Sequence, residues 1–208
     1  MMKKNYQKEL DQILAHLDPS AEKPRLLLHS CCAPCSSYVL EYLHEYFRIT
    51  VYFYNPNITE KEEYDKRIRE VERMVSEMGL TDVDVLEGSH EPKAFFEMAA
   101  KWPGEKEGGL RCYDCYKMRL MSTAEVAAQG GYDYFTTTLS ISPHKNAQWL
   151  NELAEEAGTL YGVRPLPADF KKRNGYKRSI ELSAEYDLYR QDYCGCIFSK
   201  VEREREQQ

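Results

Sequence analysis

The chain has 208 residues, which is enough for one domain with a substantial core. Its composition, with 42% hydrophobic and 30% charged residues, excludes a disordered chain. Its formal net charge of −6 argues against a protein that coats nucleic acid without regard to sequence. No stretch approaches the roughly 20 apolar residues of a membrane helix, and the charged N-terminus lacks the apolar region of a signal peptide, so we expect a cytoplasmic protein without a membrane partner.

Hydrophobic periodicity and turn residues predict alternating helices and strands along the chain. Pro34 suits the first turn of the helix that follows the first strand, and Thr59 with Glu62 forms a capping-box pair that predicts the start of the third helix. The Glu-, Arg- and Gln-rich end is predicted to be a solvated tail. In chain order we expect a helix over about 3–17, a strand over 25–29, a helix over about 34–46, a strand over 49–54, a helix over 59–79, a strand over 83–86, helices over about 91–100 and 110–129, a strand over 132–139, a helix to about 157 and a helix within 170–189.

This order of elements predicts an α/β fold, in which a parallel sheet carries helices on both faces. We expect a single domain over residues 1–208, with an α/β core at 25–165 and a helical C-terminal portion at 166–208. In parallel sheets, ligand sites lie beyond the carboxyl ends of the strands. Cys31 and Cys32 follow the first predicted strand and His144 follows the fourth, so the sequence predicts a site at this edge.

The predicted architecture resembles the HUP or adenine-nucleotide-alpha-hydrolase-like sheets of ATP pyrophosphatases, in which the loop after the first strand is SGGxDS and cradles phosphate. Residues 30–36 of this chain read SCCAPCS instead. This loop lacks the glycines that let backbone N–H groups approach a phosphate, and its cysteines stand where the phosphate would lie. The sequence therefore disfavours ATP chemistry.

Five of the seven cysteines lie in two short motifs, CCxxC at Cys31, Cys32 and Cys35 and CxxC at Cys112 and Cys115. The cytoplasm keeps thiols reduced, so cysteine clusters there are more often metal ligands or redox thiols than disulfides. The two residues of the CxxC share one helix face, and a helix N-terminus favours the thiolate. Adjacent cysteines diverge, which suits two corners of a polynuclear cluster better than one ion.

Four thiolates, from Cys31, Cys32, Cys112 and Cys115, suffice for a [4Fe–4S] cluster, which is the interpretation that we favour. A structural zinc site formed by four thiolates is the main alternative, and inert buried cysteines are a third.

The remaining cysteines form the motif Cys194-Gly195-Cys196. One intervening glycine permits a small, strained disulfide ring, and strained disulfides are the labile ones. We therefore interpret Cys194 and Cys196 as a redox-active pair, with further metal ligands or a C-terminal clip as alternatives.

Other polar side chains are weaker candidates. His29, His144 and Asp114 are possible proton donors. One basic cluster suits phosphate contact, although a solvated helix start explains it nearly as well; its members are Lys171, Lys172, Arg173, Lys177 and Arg178.

Five motifs, in chain order, resemble those of one enzyme family: LLLHSCCAPCSSY, FYNPNI, GLRCYDCYKMRL, FTTTLSISPHKN and YRQDYCGCIFSK. They run from about residue 25 to residue 200 and cover most of the chain. The chain thus resembles the QueH family of epoxyqueuosine reductases.

The resemblance implies a cobalamin-independent iron–sulfur oxidoreductase that performs the last step of queuosine synthesis. The implied substrate is epoxyqueuosine at the wobble position of tRNAs with GUN anticodons (Asp, Asn, His and Tyr), and the implied external electron donor has no signature in this sequence. Matched by motif, Cys31, Cys32, Cys112 and Cys115 correspond to ligands of a [4Fe–4S] cluster, and Cys194 and Cys196 to a redox-active pair. An additional iron near the cluster is also implied, and Cys35 is a candidate ligand for it.

Two other functions remain open at this point. A zinc-stabilised RNA-binding module would use the four thiolates structurally, and a thiol-disulfide oxidoreductase acting on proteins would use only the CGC motif.

Overall fold

The computed structural model describes residues 4–207 and contains a five-stranded sheet with helices on both faces. Its strands all pair in parallel, in the order β3-β2-β1-β4-β5. The predicted α/β class with a parallel sheet is therefore confirmed. The strands are β1 (Arg25–His29), β2 (Arg48–Phe53), β3 (Asp84–Glu87), β4 (Tyr134–Thr137) and β5 (Arg164–Pro165).

The helices form two layers. One layer packs α2 against α3 and α7, and the other packs α5 against α4 and α6. Within residues 4–207, no helix combines the length and the apolar character needed to cross a membrane. The helices are α1 (Tyr6–Ala15), α2 (Ala33–Leu43), α3 (Lys61–Glu77), α4 (Pro92–Ala99), α5 (Leu110–Gln129), α6 (Ala147–Tyr161), α7 (Gly175–Glu185) and α8 (Ile197–Glu206).

The central strand β1 is buried on both faces, as its unbroken run of leucines predicts. Leu26 and Leu28 pack into the core beneath α2 and α3, together with Val39 and Val71. Leu27 points the other way and packs beneath α5 and α6. Because successive side chains of a strand point to opposite faces, one strand serves both layers.

Two local predictions were wrong. Helix α3 begins at Lys61 with Glu60 at its N-cap and no side-chain cap, so Thr59 and Glu62 form no capping box. Strand β4 ends at Thr137 and continues as a single 3-10 turn over Thr138–Ile141. The Glu-, Arg- and Gln-rich end is solvated as predicted, with residues 204–207 exposed, and it is also helical as the outer part of α8. The first helix is shorter than predicted, and Lys3, its predicted first residue, lies outside the described residues.

The carboxyl ends of β1 and β4 lie side by side, with His29 opposite Thr137. After β1 the chain goes to β2 on one side of the sheet, and it later returns to β4 on the other side. The connections therefore diverge at this point, which is where open α/β sheets bind their ligands. The loop that carries Cys31 and Cys32 begins here.

Candidate redox and metal site

The first group of cysteines lies in the loop after β1 and the first turn of α2. The sulfurs of Cys31, Cys32 and Cys35 all lie within 4.8 Å of one another, with 3.7 Å between the sulfurs of Cys31 and Cys32. Cys32 is the N-cap residue of α2, and Pro34 lies in the first turn as predicted. Since these sulfurs converge at a helix N-terminus, the group can hold a metal.

Within this group the protons are unequally shared. Cys31 and Cys35 direct hydrogen bonds to the Cys32 sulfur and hold the pKa of that thiol well below its usual value, with Arg67 contributing. The pKa values of Cys31 and Cys35 are raised, chiefly because each donates to a neighbouring sulfur. Within the group, Cys32 is therefore the thiol that loses its proton most readily.

The second group is formed by Cys112 and Cys115 in the first turns of α5, so the predicted CxxC at a helix start is confirmed. Both sulfurs line a small cleft that Cys194 and Cys196 also line. Burial raises the pKa of Cys112 and raises that of Cys115 to about 12, although the backbone N–H of Gly108 donates to the Cys112 sulfur at 3.2 Å. These thiols would release protons on binding a metal.

The CGC motif lies across this cleft, at the start of α8, and both of its cysteines are free thiols. Gly195 has a φ of +102°, a value that glycine adopts without strain. Cys196 is buried and its sulfur accepts from the backbone N–H of Ser199 at 3.4 Å. Cys194 is more exposed, and Lys145 donates to its sulfur with an Nζ–Sγ distance of 3.1 Å.

A chamber of about 250 Å³ is lined by the first group of cysteines and by Cys194, whereas Cys112 and Cys115 line only the inner cleft. Cys194 lines both this chamber and the inner cleft. The structure places Cys31, Cys32 and Cys35 together at the predicted edge of the sheet, while Cys112 and Cys115 lie in the neighbouring cleft that shares Cys194 with the chamber. The chamber is lined by Cys31, Cys32, Cys35, Cys194, Arg67, Glu107, Lys145, His144, Tyr176, Tyr193, Arg190 and Arg203, among others.

Two guanidinium groups are buried beside the sulfurs. Arg67 is 1% exposed and Arg119 is fully buried, and the Nη2 atom of each side chain has no hydrogen-bond partner. The charges of Cys115, Cys194 and Cys31 raise the pKa of Arg119 against the opposing effect of its burial. Because an unpaired buried N–H costs about 1–3 kcal/mol, these groups fit an anionic centre bound among the cysteines.

Sequence reasoning missed Arg67, Arg119 and Lys145. Arg119 follows Cys115 by one helical turn, which is a local signal that could have found it. Arg67 and Lys145 reach the site from α3 and from the turn before α6, and their placement depends on the tertiary fold.

His29 is not placed to donate a proton. It is fully buried, its Nδ1 lies 2.8 Å from the Thr137 hydroxyl and its Nε2 lies 3.0 Å from the Tyr54 carbonyl oxygen. Burial lowers its pKa to about 4, so the ring is neutral and joins β1 to its neighbours. His144 is exposed at the chamber, and Asp114 accepts from the Trp102 indole at 2.8 Å.

The family model described as "Epoxyqueuosine reductase QueH" matches residues 26–202, a range that contains every cysteine of the chain. The chain belongs to the QueH family. The predicted resemblance is therefore confirmed over most of the sequence.

Curated relatives agree with the QueH assignment. A Staphylococcus epidermidis protein is 45% identical over 205 residues, covering 96% of this chain and 86% of the relative. A Staphylococcus aureus protein is 44% identical, covering 96% of this chain and 85% of the relative, and a Thermotoga maritima protein is 32% identical, covering 86% and 91%. Each of the three is named "Epoxyqueuosine reductase QueH".

Proposed function

We propose that this protein is an epoxyqueuosine reductase that converts the epoxide to the alkene of queuosine at the wobble position of tRNAs with GUN anticodons. The QueH family and the names of its relatives support the reaction. Within the structure, the observation that carries the proposal is that free thiols and buried guanidinium groups line a chamber and the adjoining cleft, which share Cys194. This combination suits electron transfer to a substrate in the chamber.

Cys31, Cys32, Cys112 and Cys115 are the residues that we propose as ligands of a [4Fe–4S] cluster. When bound, the cluster supplies electrons one at a time. The unpaired N–H groups of Arg67 and Arg119 support an anionic centre near these residues. We propose Cys35 as the ligand available to an additional iron.

The CGC motif supplies the second part of the electron balance. Reducing the epoxide to an alkene consumes two electrons and two protons and releases its oxygen as water. Oxidation of the Cys194–Cys196 dithiol to a disulfide releases two electrons and two protons, which matches this demand. An external dithiol or electron-carrier protein then reduces the disulfide. Cys194 is placed for this role because it lines both the chamber and the inner cleft.

The chamber determines how the substrate must approach. Its volume of about 250 Å³ admits a single nucleotide base with its substituent and excludes duplex RNA. The wobble nucleotide therefore has to leave its anticodon stack to reach the sulfurs.

Metal analysis with visible spectra of anaerobically purified protein tests the ligand set. We expect Cys112→Ser to lose iron and the broad visible absorption, because a missing thiolate opens the cluster. Cys35→Ser is the matched control and should retain a four-iron absorption. An unchanged spectrum for Cys112→Ser would refute the assignment of that ligand.

Turnover of epoxyqueuosine-containing tRNA, assayed by nucleoside mass spectrometry, tests the reaction. Cys194→Ser should keep the visible spectrum and lose turnover, whereas loss of the spectrum would make Cys194 a metal ligand. A colourless wild-type protein with one zinc per chain would favour an RNA-binding module instead. Turnover that persists after iron chelation would favour a thiol-disulfide oxidoreductase.

A further inference from the structure

The basic cluster predicted from the sequence is largely neutralised within the fold. Lys171 pairs with Asp169 at 2.6 Å, and Arg178 pairs with Glu41 at 2.6 Å. Arg173 pairs with Asp11, and Lys177 lies 3.9 Å from Glu181. Only Lys172 of this cluster has no carboxylate within 4.0 Å among the described residues. This surface therefore offers little unpaired positive charge to a phosphate.

Positive charge is more available at the opening of the chamber. Arg190 is exposed, and its Nη1 donates a hydrogen bond to the Ser183 hydroxyl at 2.9 Å. No carboxylate of the described residues forms an ion pair with it. Arg203 pairs with Glu206 in an exposed pair like those of the basic cluster, which stabilise by about 0–1 kcal/mol, so its position on the chamber wall is what distinguishes it. Both side chains line the chamber.

The chamber also has aromatic walls close to these arginines. Tyr176 at the start of α7 and Tyr193 next to the CGC motif are both partly exposed and line it. A base that has left its stack loses stacking energy, and stacking on a tyrosine ring restores about 1–3 kcal/mol per base. A nucleotide whose base enters this chamber leaves its flanking phosphates at the opening.

We propose that Arg190 and Arg203 bind the phosphates on either side of the inserted nucleotide, and that Tyr176 and Tyr193 contact its base. This inference rests on the proposed function, because it takes a single-stranded tRNA loop as the partner. It moves the RNA-binding surface from the cluster at residues 171–178 to the chamber opening.

Binding of an anticodon stem–loop RNA with a GUN anticodon, measured by fluorescence anisotropy at several salt concentrations, tests the proposal on the complete protein. Arg190→Ala and Arg203→Ala should each weaken binding about five- to tenfold and reduce the slope of log affinity against log salt by about one. Arg205→Ala is the matched control on the same helix, because Arg205 is exposed and does not line the chamber, and it should change affinity less than about twofold.

Two results would overturn the proposal. In the first, Arg190→Ala and Arg203→Ala are both folded, as judged by circular dichroism, and both bind the RNA with the same affinity and the same salt slope as Arg205→Ala. The other is a larger loss from Lys172→Ala than from Arg190→Ala. These assays require no turnover, so binding through Arg190 without epoxide reduction would refute only the proposed reaction. Turnover with unchanged binding in Arg190→Ala would refute only this surface.

Discussion

At the level of single residues, the Lys145 ammonium is the main electrostatic neighbour of the CGC motif. Its side chain is 8% exposed, and its Nζ lies 3.8 Å from a carboxylate oxygen of Glu107 as well as beside the Cys194 sulfur. Burial lowers the pKa of Lys145, but the Cys194 sulfur more than offsets this and the pKa is raised. An ammonium that donates to the Cys194 sulfur at 3.1 Å stabilises negative charge that develops on this sulfur during a reaction.

Lys145→Met should slow alkylation of Cys194 by iodoacetamide about threefold or more. The substitution removes a charge-assisted hydrogen bond to the sulfur, and losing about 1 kcal/mol of stabilisation of the developing negative charge corresponds to a roughly fivefold slower reaction. Site-resolved mass spectrometry under anaerobic conditions measures the rate. Lys145→Arg should restore it, and Lys117→Met, which removes a lysine paired with Glu156 on the surface, serves as the control. Equal rates in Lys145→Met and the control would contradict this role.

The local motifs were predictable and the cations around them were not. The CxxC at the start of α5 lies within one helical turn, so spacing alone places its two sulfurs on one side, and Cys32 and Cys35 are spaced in the same way at the N-cap and first turn of α2. Arg67 and Lys145 reach the sulfurs only through the packing of α3 and the connection after β4. No short-range pattern encodes such contacts.

At the level of elements, helix α3 holds the segment that leads to the CGC motif. Glu70 accepts from the backbone N–H of Tyr189 and from Arg73, each at 2.7 Å. Arg73 in turn donates to the carbonyl oxygens of Tyr186 and Asp187, each at 3.1 Å. These bonds fix the chain after α7, and so they determine where Cys194 lies.

Glu70→Gln should loosen this segment, because a charge-assisted bond to a backbone N–H becomes a neutral one. We expect the opening free energy at Tyr189 to fall by about 1 kcal/mol, which is roughly a fivefold faster amide exchange. Hydrogen exchange with mass spectrometry measures this change. Glu72→Gln, at an exposed position of the same helix, is the control, and equal exchange in the two variants would refute the contribution of Glu70.

The element predictions failed where tertiary contacts override local preference. Thr137 ends β4 early because its hydroxyl accepts from the backbone N–H of Leu139 and starts a 3-10 turn. The charged tail becomes α8 because Glu202 pairs with Arg111 and accepts from the backbone N–H of Glu107 at 3.0 Å. Both partners of Glu202 are distant in sequence, so the local sequence alone does not predict that this segment is helical.

At the level of the whole molecule, the fold was predicted more completely than the site. The alternation of strands and helices predicts a parallel sheet, and the leucine run of β1 predicts its central place. Strand β5 was missed because it has only two residues. Relative positions of the two cysteine groups could not be read from spacing, because they depend on which strands are neighbours.

Removal of the proposed iron centre should lower the thermal stability of the whole protein. Without a bound anionic centre, the N–H groups of Arg67 and Arg119 stay buried and unpaired, at a cost of about 1–3 kcal/mol each. For a chain of this size we expect the melting temperature to fall by at least about 2 °C per kcal/mol. Anaerobic calorimetry of the iron-loaded and chelator-treated protein measures the difference. Identical melting temperatures would show that no bound centre stabilises the fold.

The position of the CGC motif near the end of the chain also affects biosynthesis. The wall of the chamber that contains Cys194 is translated after Cys31, Cys32, Cys112 and Cys115. A nascent chain that has not yet reached residue 190 thus leaves this side open. The first group of cysteines is therefore accessible from that side until the segment from α7 to the CGC motif folds onto α3.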